Sequence, residues 1–462
     1  MPQLQPVPNP TPSYWLSQPS HLKTLRTTAS LPETCDIAII GSGMAGILTA
    51  YHILQSFTAS SHKYTPGQPI PSIILLEARD LCSGATARNG GHCKIKTTTL
   101  LNLGERADEM FALVKANRKA FKRISETENI DCELEVRRSF DVFLDADEAA
   151  ETKSGYLRQR GKEGNKKWTQ SYCLVPQEHV EQVTSIKGAK LALSVPVVSL
   201  WPYKFATGLL ERLVEKWSGE HLNVQTNTSV TGISSSAGND DDDDPPISMP
   251  AETVLTTPRG ALLAKKVVFA TNAYTAGLLP QFTDTITPIK GMASHIVPSS
   301  PINPHLNNTY NITFSPEKGT DYLNPRPDGT IVVGGGGSLF KNDRPLWYND
   351  FDDSKRFPDS IMAYWDGYMG RTFHGWDGGE KVESAWVGTM GITPDGQPHV
   401  GRVPGTTNQW ILAGFNGGGN ALIGVCAEAV AEMVLGDLGF EDVAKGYGIP
   451  GSFKSGEERM QR

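Results

Sequence analysis

Apolar positions along this chain follow two rhythms. Residues 37–40 (Ile-Ala-Ile-Ile), 72–76 (Ser-Ile-Ile-Leu-Leu), 266–270 (Lys-Val-Val-Phe-Ala) and 410–413 (Trp-Ile-Leu-Ala) are short, nearly unbroken apolar runs. Runs of this kind suit strands buried on both faces of a parallel sheet. Between them the spacing turns helical. Ile47, Leu48, Tyr51 and Leu54 follow the first run. Leu101, Phe111, Leu113, Phe121 and Ile124 recur over 101–128, Phe205, Leu209, Leu210 and Leu213 over 201–217, and Leu422, Val425 and Val430 over 420–435. Residues 330–334 (Thr-Ile-Val-Val-Gly) alternate and predict an antiparallel sheet, while 223–233 read as a pair of strands. Residues 133–190 mix short strands with charged helix. Residues 58–71 and the run Asp240, Asp241, Asp242, Asp243, Asp244, Pro245, Pro246 are polar breaks, expected as solvated loops. Residues 13–32 read as an arm on the surface, anchored by Tyr14, Trp15 and Leu16.

The first strand leads straight into Gly41-x-Gly43-x-x-Gly46 and then into a helix. In that order the glycines have separate tasks. Gly41 permits a sharp turn, Gly43 lets backbone approach a diphosphate, and Gly46 lets helix and strand pack closely. The helix start then offers free N–H groups to the phosphates. The second strand ends at Glu77, an acid suited to a ribose hydroxyl, although 31 residues separate it from Gly46 rather than the usual ~20. No helical period follows Glu77. Residues 78–92 are small and rich in N–H donors, a loop able to run along an extended cofactor from diphosphate towards a ring. That favours FAD over NAD.

These stretches carry a family resemblance. Residues 41–46 (Gly-Ser-Gly-Met-Ala-Gly), Glu77-Ala78-Arg79 and residues 84–91 (Gly-Ala-Thr-Ala-Arg-Asn-Gly-Gly) resemble the FAD-dependent oxidoreductases of the D-amino-acid oxidase superfamily, which includes glycine, sarcosine and gamma-glutamylputrescine oxidases. The resemblance returns at 271–274 (Thr-Asn-Ala-Tyr), 393–398 (Thr-Pro-Asp-Gly-Gln-Pro) and 414–420 (Gly-Phe-Asn-Gly-Gly-Gly-Asn) and spans roughly residues 30–440. It implies an α/β fold, α+β overall, in which a Rossmann-like FAD-binding domain is interleaved with a smaller antiparallel-sheet substrate domain. The expected division is an arm over 1–32, a discontinuous FAD domain over 33–100, 191–285 and 381–440, a substrate domain over 101–190 and 286–380, and a tail over 441–462.

The resemblance also implies the cofactor contacts. They are Gly41, Gly43, Met44, Ala45 and Gly46 of the first turn; Glu77, Ala78 and Arg79; and Ala85, Thr86, Arg88, Asn89, Gly90, Gly91 and His92 of the loop. Val230 is expected near the adenine, followed by Thr271, Asn272, Gly388, Asp395, Gly414, Asn416, Gly417, Gly418 and Gly419. The last glycines precede a helix whose N-terminus would face the charge on the reduced flavin. Relatives attach flavin through a cysteine before the Thr-Pro-Asp motif or a histidine in the glycine loop. Residues 385–392 hold no cysteine and the loop position is Arg88, so FAD is expected to be non-covalent.

Composition narrows the class. A length of 462 residues suffices for two domains, and 39% hydrophobic with 20% charged residues is ordinary for a globular chain. A net charge of −7 argues against a nucleic-acid partner. No apolar run reaches membrane-spanning length, and the polar, proline-rich start lacks a secretory core, so a cytoplasmic location is expected. The six cysteines form no C-x-x-C pair and no zinc spacing, so they read as free thiols and no metal site is expected.

The implied reaction is amine or amino-acid oxidation: hydride leaves the carbon beside an amine nitrogen to give an imine, with oxygen or another acceptor taking the electrons. His92, Lys290 and His399 are the candidates for catalytic roles; His92 also reads as a satisfied structural histidine and Lys290 as structural or carboxylate-facing. Trp201, Trp386 and Phe415 are candidates for an aromatic wall, and Arg326 for a carboxylate clamp, each against a plain packing or surface role. Two other readings share the cofactor. One is a flavin dehydrogenase of a hydroxy acid or alcohol, with His399 or His92 as base; the other is a catalytically silent FAD-binding scaffold.

Overall fold

The computed structural model describes residues 4–58, 69–161, 166–235, 252–302, 305–376 and 378–460. The acidic run at 240–244 and most of the 58–71 loop lie outside them.

Two sheets share the chain. The first has eight strands, along the path His399–Arg402, Gln409–Ala413, Gly260–Phe269, Thr34–Ile40, Ile73–Leu76 and Leu222–Gln225. Its neighbours from Gln409–Ala413 to Leu222–Gln225 are all parallel. The unbroken apolar runs are explained by burial on both faces. Ile37, Ile39, Ile73, Leu75, Val268, Trp410 and Leu412 point into one core, shared with the helices Met44–Gln55, Pro202–Trp217 and Ile423–Gly436. Their alternates Ala38, Ile40, Ile74, Leu76, Val267, Phe269, Ile411 and Ala413 point into the other, beneath the hairpin that adds Gly232–Ser235 and Thr253–Thr257. The strand pair expected over 223–233 therefore splits: its first half joins Ile73–Leu76 in parallel, and its second pairs with Thr253–Thr257.

The second sheet has nine strands, ordered Lys381–Ile392, Thr287–Val297, Ile331–Gly335, Gly319–Pro325, Thr309–Ser315, Glu135–Phe143, Leu191–Ser199 and His92–Cys93, with Cys173–Leu174 on Leu191–Ser199. All its pairings are antiparallel except that of Thr309–Ser315 with Glu135–Phe143. Residues 191–199 and 381–392, expected in the FAD domain, thus belong to this sheet. The helix Ala107–Thr127, expected in the substrate domain, gives Met110, Leu113, Val114, Phe121 and Ile124 to the first sheet's core, and only Ala107 and Phe111 to a cluster with Leu191, Leu193 and Val195. Contiguous segments misassign these pieces because one helix spans both cores.

The N-terminal arm is threaded rather than laid on the surface. Trp15 is fully buried, and its indole N–H donates to the Asn89 carbonyl at 2.6 Å. Thr11 N–H donates to the Asp353 carbonyl at 2.8 Å. The tail is folded too: Phe440–Tyr447 is a helix, Phe453 is buried, and Ser455 N–H donates to Val400 O at 3.0 Å. Among the described residues no helix is long and apolar enough to cross a membrane.

Candidate functional site

A continuous cavity of about 830 Å³ runs from the glycine turn, past the loop after Glu77, to the face of the second sheet. Its start is built by the first strand–helix connection. Gly41 has φ +107°, a left-handed conformation, and a Cβ there would stand 2.7 Å from Ala270 O. Gly43 is the N-cap of Met44–Gln55 and has no side chain to cap it. The Met44 N–H instead donates to Thr86 Oγ1 at 2.9 Å, so the loop is pinned across the helix start. Gly46 lies behind the cavity wall and serves packing alone, since its Cβ would meet Gly41 O at 1.9 Å. Glu77 closes this end. Its Oε2 accepts from Ser42 N–H at 3.0 Å and Ser42 Oγ at 2.7 Å, and its Oε1 accepts from Arg79 N–H at 2.9 Å.

Two arginines tie the loop to distant chain. Arg79 forks onto Asp353 with N–O distances of 2.8 and 3.1 Å and reaches Val7 O at 2.9 Å. Arg88 is fully engaged by Ser83 O, Thr11 Oγ1, Thr11 O and Val387 O, with Asp353 Oδ2 3.5 Å away. Burial lowers Arg88 to about 10, with Asp353 opposing that fall. Asn89 Oδ1 accepts from Gly91 N–H at 2.8 Å and from Asn420 Nδ2 at 2.9 Å, which joins this loop to the entrance of the last long helix. Asn272 Oδ1 receives Gly414 N–H and Phe415 N–H at 3.1 and 3.2 Å and holds the turn before Gly417, Gly418 and Gly419.

Most residues expected at the cofactor do line this cavity: Gly41, Gly43, Met44, Ala45, Glu77, Ala78, Arg79, Ala85, Thr86, Arg88, Asn89, Gly90, His92, Val230, Thr271, Asn272, Gly388, Asn416, Gly417, Gly418 and Gly419. Four do not. Gly46 and Gly414 pack behind it, Gly91 has φ +66° with a Cβ site 2.5 Å from Trp15, and Asp395 is held by Arg459 at 2.8 Å. Sequence reasoning missed Leu4, Gln5 and Pro6, which line the end near Val230; Gln5 Nε2 donates to Val230 O at 3.1 Å.

The other candidates divide. His92, Lys290 and Phe415 line the cavity. His92 stands edge-on to Tyr322, its Nδ1 is buried without a partner, and burial with nearby Lys94 and Lys96 presses its pKa well below the usual value. Lys290 donates to Asp350 Oδ2 at 2.6 Å and is therefore already neutralised. The remaining expectations are corrected. His399 is buried against Phe282 and hydrogen-bonded to Ser455 at 3.2 Å, outside the cavity, and burial presses it to about 3. Arg326 is fully buried, paired with Glu133 at 2.6 Å and seated over Trp15. Trp201 donates to Trp15 O and Trp386 to Arg88 O; both are wholly buried packing residues behind the wall. These four follow the sequence motifs closely in number, but their local backbone turns them away from the cavity: His399 and Trp386 on strands, Trp201 at a helix start, and Arg326 just past a strand.

The walls fit an FAD molecule. They supply a side-chain-free turn at a helix start, a cradle at Gly41 that a Cβ would fill, and unpartnered buried nitrogens on Arg79 and His92. Among the described residues no group of His, Cys, Asp or Glu converges as a metal site requires.

Comparison with known proteins agrees. Residues 36–433 match the profile of a family described as FAD dependent oxidoreductase. No curated protein sequence matches the chain. Among solved structures, an L-amino acid deaminase from Proteus vulgaris with its specific insertion deleted is 17% identical, superposes with a TM-score of 0.66, and is matched over 94% of this chain and 97% of its own. Glycine oxidase from Geobacillus kaustophilus is 16% identical with a TM-score of 0.62 over 88% and 95%. L-proline dehydrogenase from P. horikoshii is 18% identical with a TM-score of 0.61 over 87% and 94%. At these identities the likeness establishes the fold.

Proposed function

Because the chain belongs to the family of FAD-dependent oxidoreductases, we propose that it oxidises an amine or amino acid at the carbon beside nitrogen. When bound, FAD supplies the acceptor for that hydride, and the resulting imine hydrolyses in water. The observation that carries the reading is the single cavity joining the Gly41–Gly43 turn to the second sheet, with His92 between them. Similar folds are those of an amino acid deaminase, a glycine oxidase and a proline dehydrogenase, all named for amino-acid substrates.

The chain's residues position and exclude. The Met44 helix start and the 84–92 loop would hold the diphosphate. Gly417, Gly418 and Gly419 would offer backbone to the ring, and Phe415 and Tyr322 would exclude water from the reacting carbon. His92, on the wall between the two ends, flanks the substrate and orients it by contact. An amine needs no strong base once it binds uncharged, because the nitrogen lone pair drives the hydride out. A hydroxy acid would need a base for its hydroxyl proton. Neither histidine offered for that role suits it: His92 is pressed far down, and His399 is outside the cavity. FAD binds non-covalently. Cys82 is the one cysteine on the wall among the described residues; its thiol donates to Ser42 O at 2.8 Å, and burial raises its pKa well above normal. Oxygen or another acceptor reoxidises the flavin, and the protein works in the cytoplasm.

The test is anaerobic mixing of the yellow holoprotein with amines, amino acids and hydroxy acids. Bleaching by an amine or amino acid is expected; bleaching by hydroxy acids alone, or by nothing in the panel, overturns the reading. A companion variant checks the correction at His399. His399→Phe keeps the edge contact with Phe282 but loses the Ser455 bond. It should shift stability by about 1 kcal/mol and leave kcat within about twofold, since surroundings outside the site rarely do more. A tenfold fall in kcat at unchanged flavin content would return His399 to the reaction.

A further inference from the structure

The charges on the cavity wall are lopsided. Glu77, at the first turn, is the one carboxylate among its lining residues, against seven lysines and arginines. Three of the seven are spoken for: Arg79 and Arg88 by Asp353, and Lys290 by Asp350. The other four, Lys94, Lys96, Lys318 and Lys341, gather at the end formed by the second sheet, and among the described residues none has an ion-pair partner. We propose that this end of the pocket selects an amino compound carrying at least two anionic groups, such as an amino dicarboxylate, held by Lys94 and Lys96 on the wall and Lys318 and Lys341 at the rim. The proposal deepens the amine-oxidation reading and rests on it for the reacting nitrogen alone.

The local structure explains the gathering. The chain after the glycine loop runs extended, with His92–Cys93 paired to Leu191–Ser199, so His92, Lys94 and Lys96 fall on one side at a period of two. Lys94 Nζ donates to Ser139 Oγ at 2.7 Å and to Thr309 Oγ1 at 3.4 Å, both neutral, which leaves its charge unpaired and one donor free. Lys96 retains accessible surface although protein surrounds it, because that surface faces the cavity. Lys318 occupies the turn between Thr309–Ser315 and Gly319–Pro325. Lys341 leans back over the same turn, its Nζ 3.5 Å from where a Cβ on Gly319 would stand.

The two nearby carboxylates attract Lys94 and Lys96 and offset them only in part, because neither makes an ion pair with any of the four. Asp141 spends Oδ2 on Thr97 N–H and Oγ at 2.6 and 2.7 Å, and Oδ1 on Asn311 Nδ2 at 2.7 Å. Asp321 spends Oδ1 on Gly336 N–H at 2.7 Å and Oδ2 on the hydroxyls of Tyr364 and Tyr368 at 2.7 and 3.1 Å. Both lie beneath the wall and outside the lining. The cations therefore face one another. Lost water, and then the nearby Lys96, press Lys94 down to about 7 against the pull of Asp141; lost water, and then Lys341, lower Lys96 against Asp141 and Asp321. Exposed lysines at a rim are ordinary; two on a pocket wall with no direct ion-pair partner among the described residues are a cost that an anionic ligand removes. The same field repels a diamine, whose second ammonium would meet only Asn311, Thr320 and Tyr322 as neutral partners.

The experiment is calorimetric titration of the oxidised holoprotein with glutarate, butyrate and 1,4-diaminobutane, and of Lys96→Gln and Lys341→Gln with glutarate. Glutarate should bind more tightly than butyrate, the diamine should not bind, and each lysine variant should weaken glutarate about tenfold or more at unchanged flavin content. Binding of the diamine but not glutarate, or glutarate binding unaltered in Lys96→Gln, overturns the proposal. The titration needs no turnover, so its outcome separates from that of the reaction. A protein that binds glutarate through these lysines yet is bleached by no amine keeps the anion site and loses the amine chemistry.

Discussion

Gly46→Ala is expected to remove most of the bound flavin and several kcal/mol of stability. A methyl group at this position would sit 1.9 Å from Gly41 O and 3.2 Å from Ile39 Cγ2. The first obstacle is backbone, and that backbone cannot step aside. Thr34–Ile40 is hydrogen-bonded to Gly260–Phe269 on one side and Ile73–Leu76 on the other, and Gly41 N–H is itself held by Leu76 O at 2.8 Å. The helix Met44–Gln55 must therefore retreat, carrying its N–H groups away from the diphosphate and opening the core around Ile47, Leu48 and Val430. Overpacking in cores costs about 1–3 kcal/mol, and a clash with fixed backbone belongs at the top of that range or beyond. A displaced helix start should lower flavin retention about tenfold or more, since ~1.4 kcal/mol suffices for each factor of ten. Gly446→Ala is the control: nothing lies within 4 Å of its Cβ site, and it lies within the helix Phe440–Tyr447, so alanine there should be neutral or stabilising. The ratio of flavin to protein absorbance, read with the thermal midpoint, decides. Full loading of Gly46→Ala would contradict the packing described for the turn.

Asp353→Ala should be comparably severe by a different route. Asp353 is 1% exposed and sits between two buried guanidinium groups, of which Arg79 takes both its oxygens. Removing it leaves Arg79 beside Arg88 with only the weaker pull of Glu77 on Arg79 to offset them. Breaking one partner from a buried pair costs about 3–5 kcal/mol, and here one carboxylate serves two cations. The effect should reach the cofactor, because Arg79 and Arg88 line its cavity and fasten residues 7–11 across it. Asp353→Asn, whose Oδ1 still accepts from one Arg79 N–H, should lose less. Arg79→Met in the Asp353→Ala background should recover part of the loss, since one stranded charge goes with it. Denaturant unfolding of the holoprotein measures these terms, and a loss below about 1 kcal/mol for Asp353→Ala would show that the arginines do not depend on it.

Half of this architecture is legible in the chain itself, for a physical reason. The turn at Gly41, the strand pair around Glu77 and the loop through Asn89 are built from contiguous residues, so their spacing carries their geometry. Twenty-one of the twenty-five expected cofactor positions line the cavity. The substrate end is assembled otherwise. Its wall takes Lys94 from the segment just after the strand His92–Cys93, Tyr322 and Lys318 from a hairpin more than two hundred residues away, and Lys341 from a loop beyond it. No local period announces such a meeting, although the alternation His92, Lys94, Lys96 is visible once His92 is placed on a strand. Residue type misleads where burial is unknown. Arg326 suits a carboxylate clamp by chemistry, but the turn after the strand Gly319–Pro325 sends it into the aromatic packing of Trp15 and Trp201. His399 follows a loop motif yet faces Phe282. Asp353 sits in a charged, irregular stretch that gives no sign of its burial between two arginines.

The proposition beneath all of this is that the cavity holds FAD by its diphosphate at the start of the helix Met44–Gln55. Acid precipitation of the purified protein tests it in one step. The account predicts a colourless pellet and a supernatant holding FAD in one-to-one ratio with protein. Protein that shows no flavin absorbance, and takes up none when incubated with FAD, would contradict it.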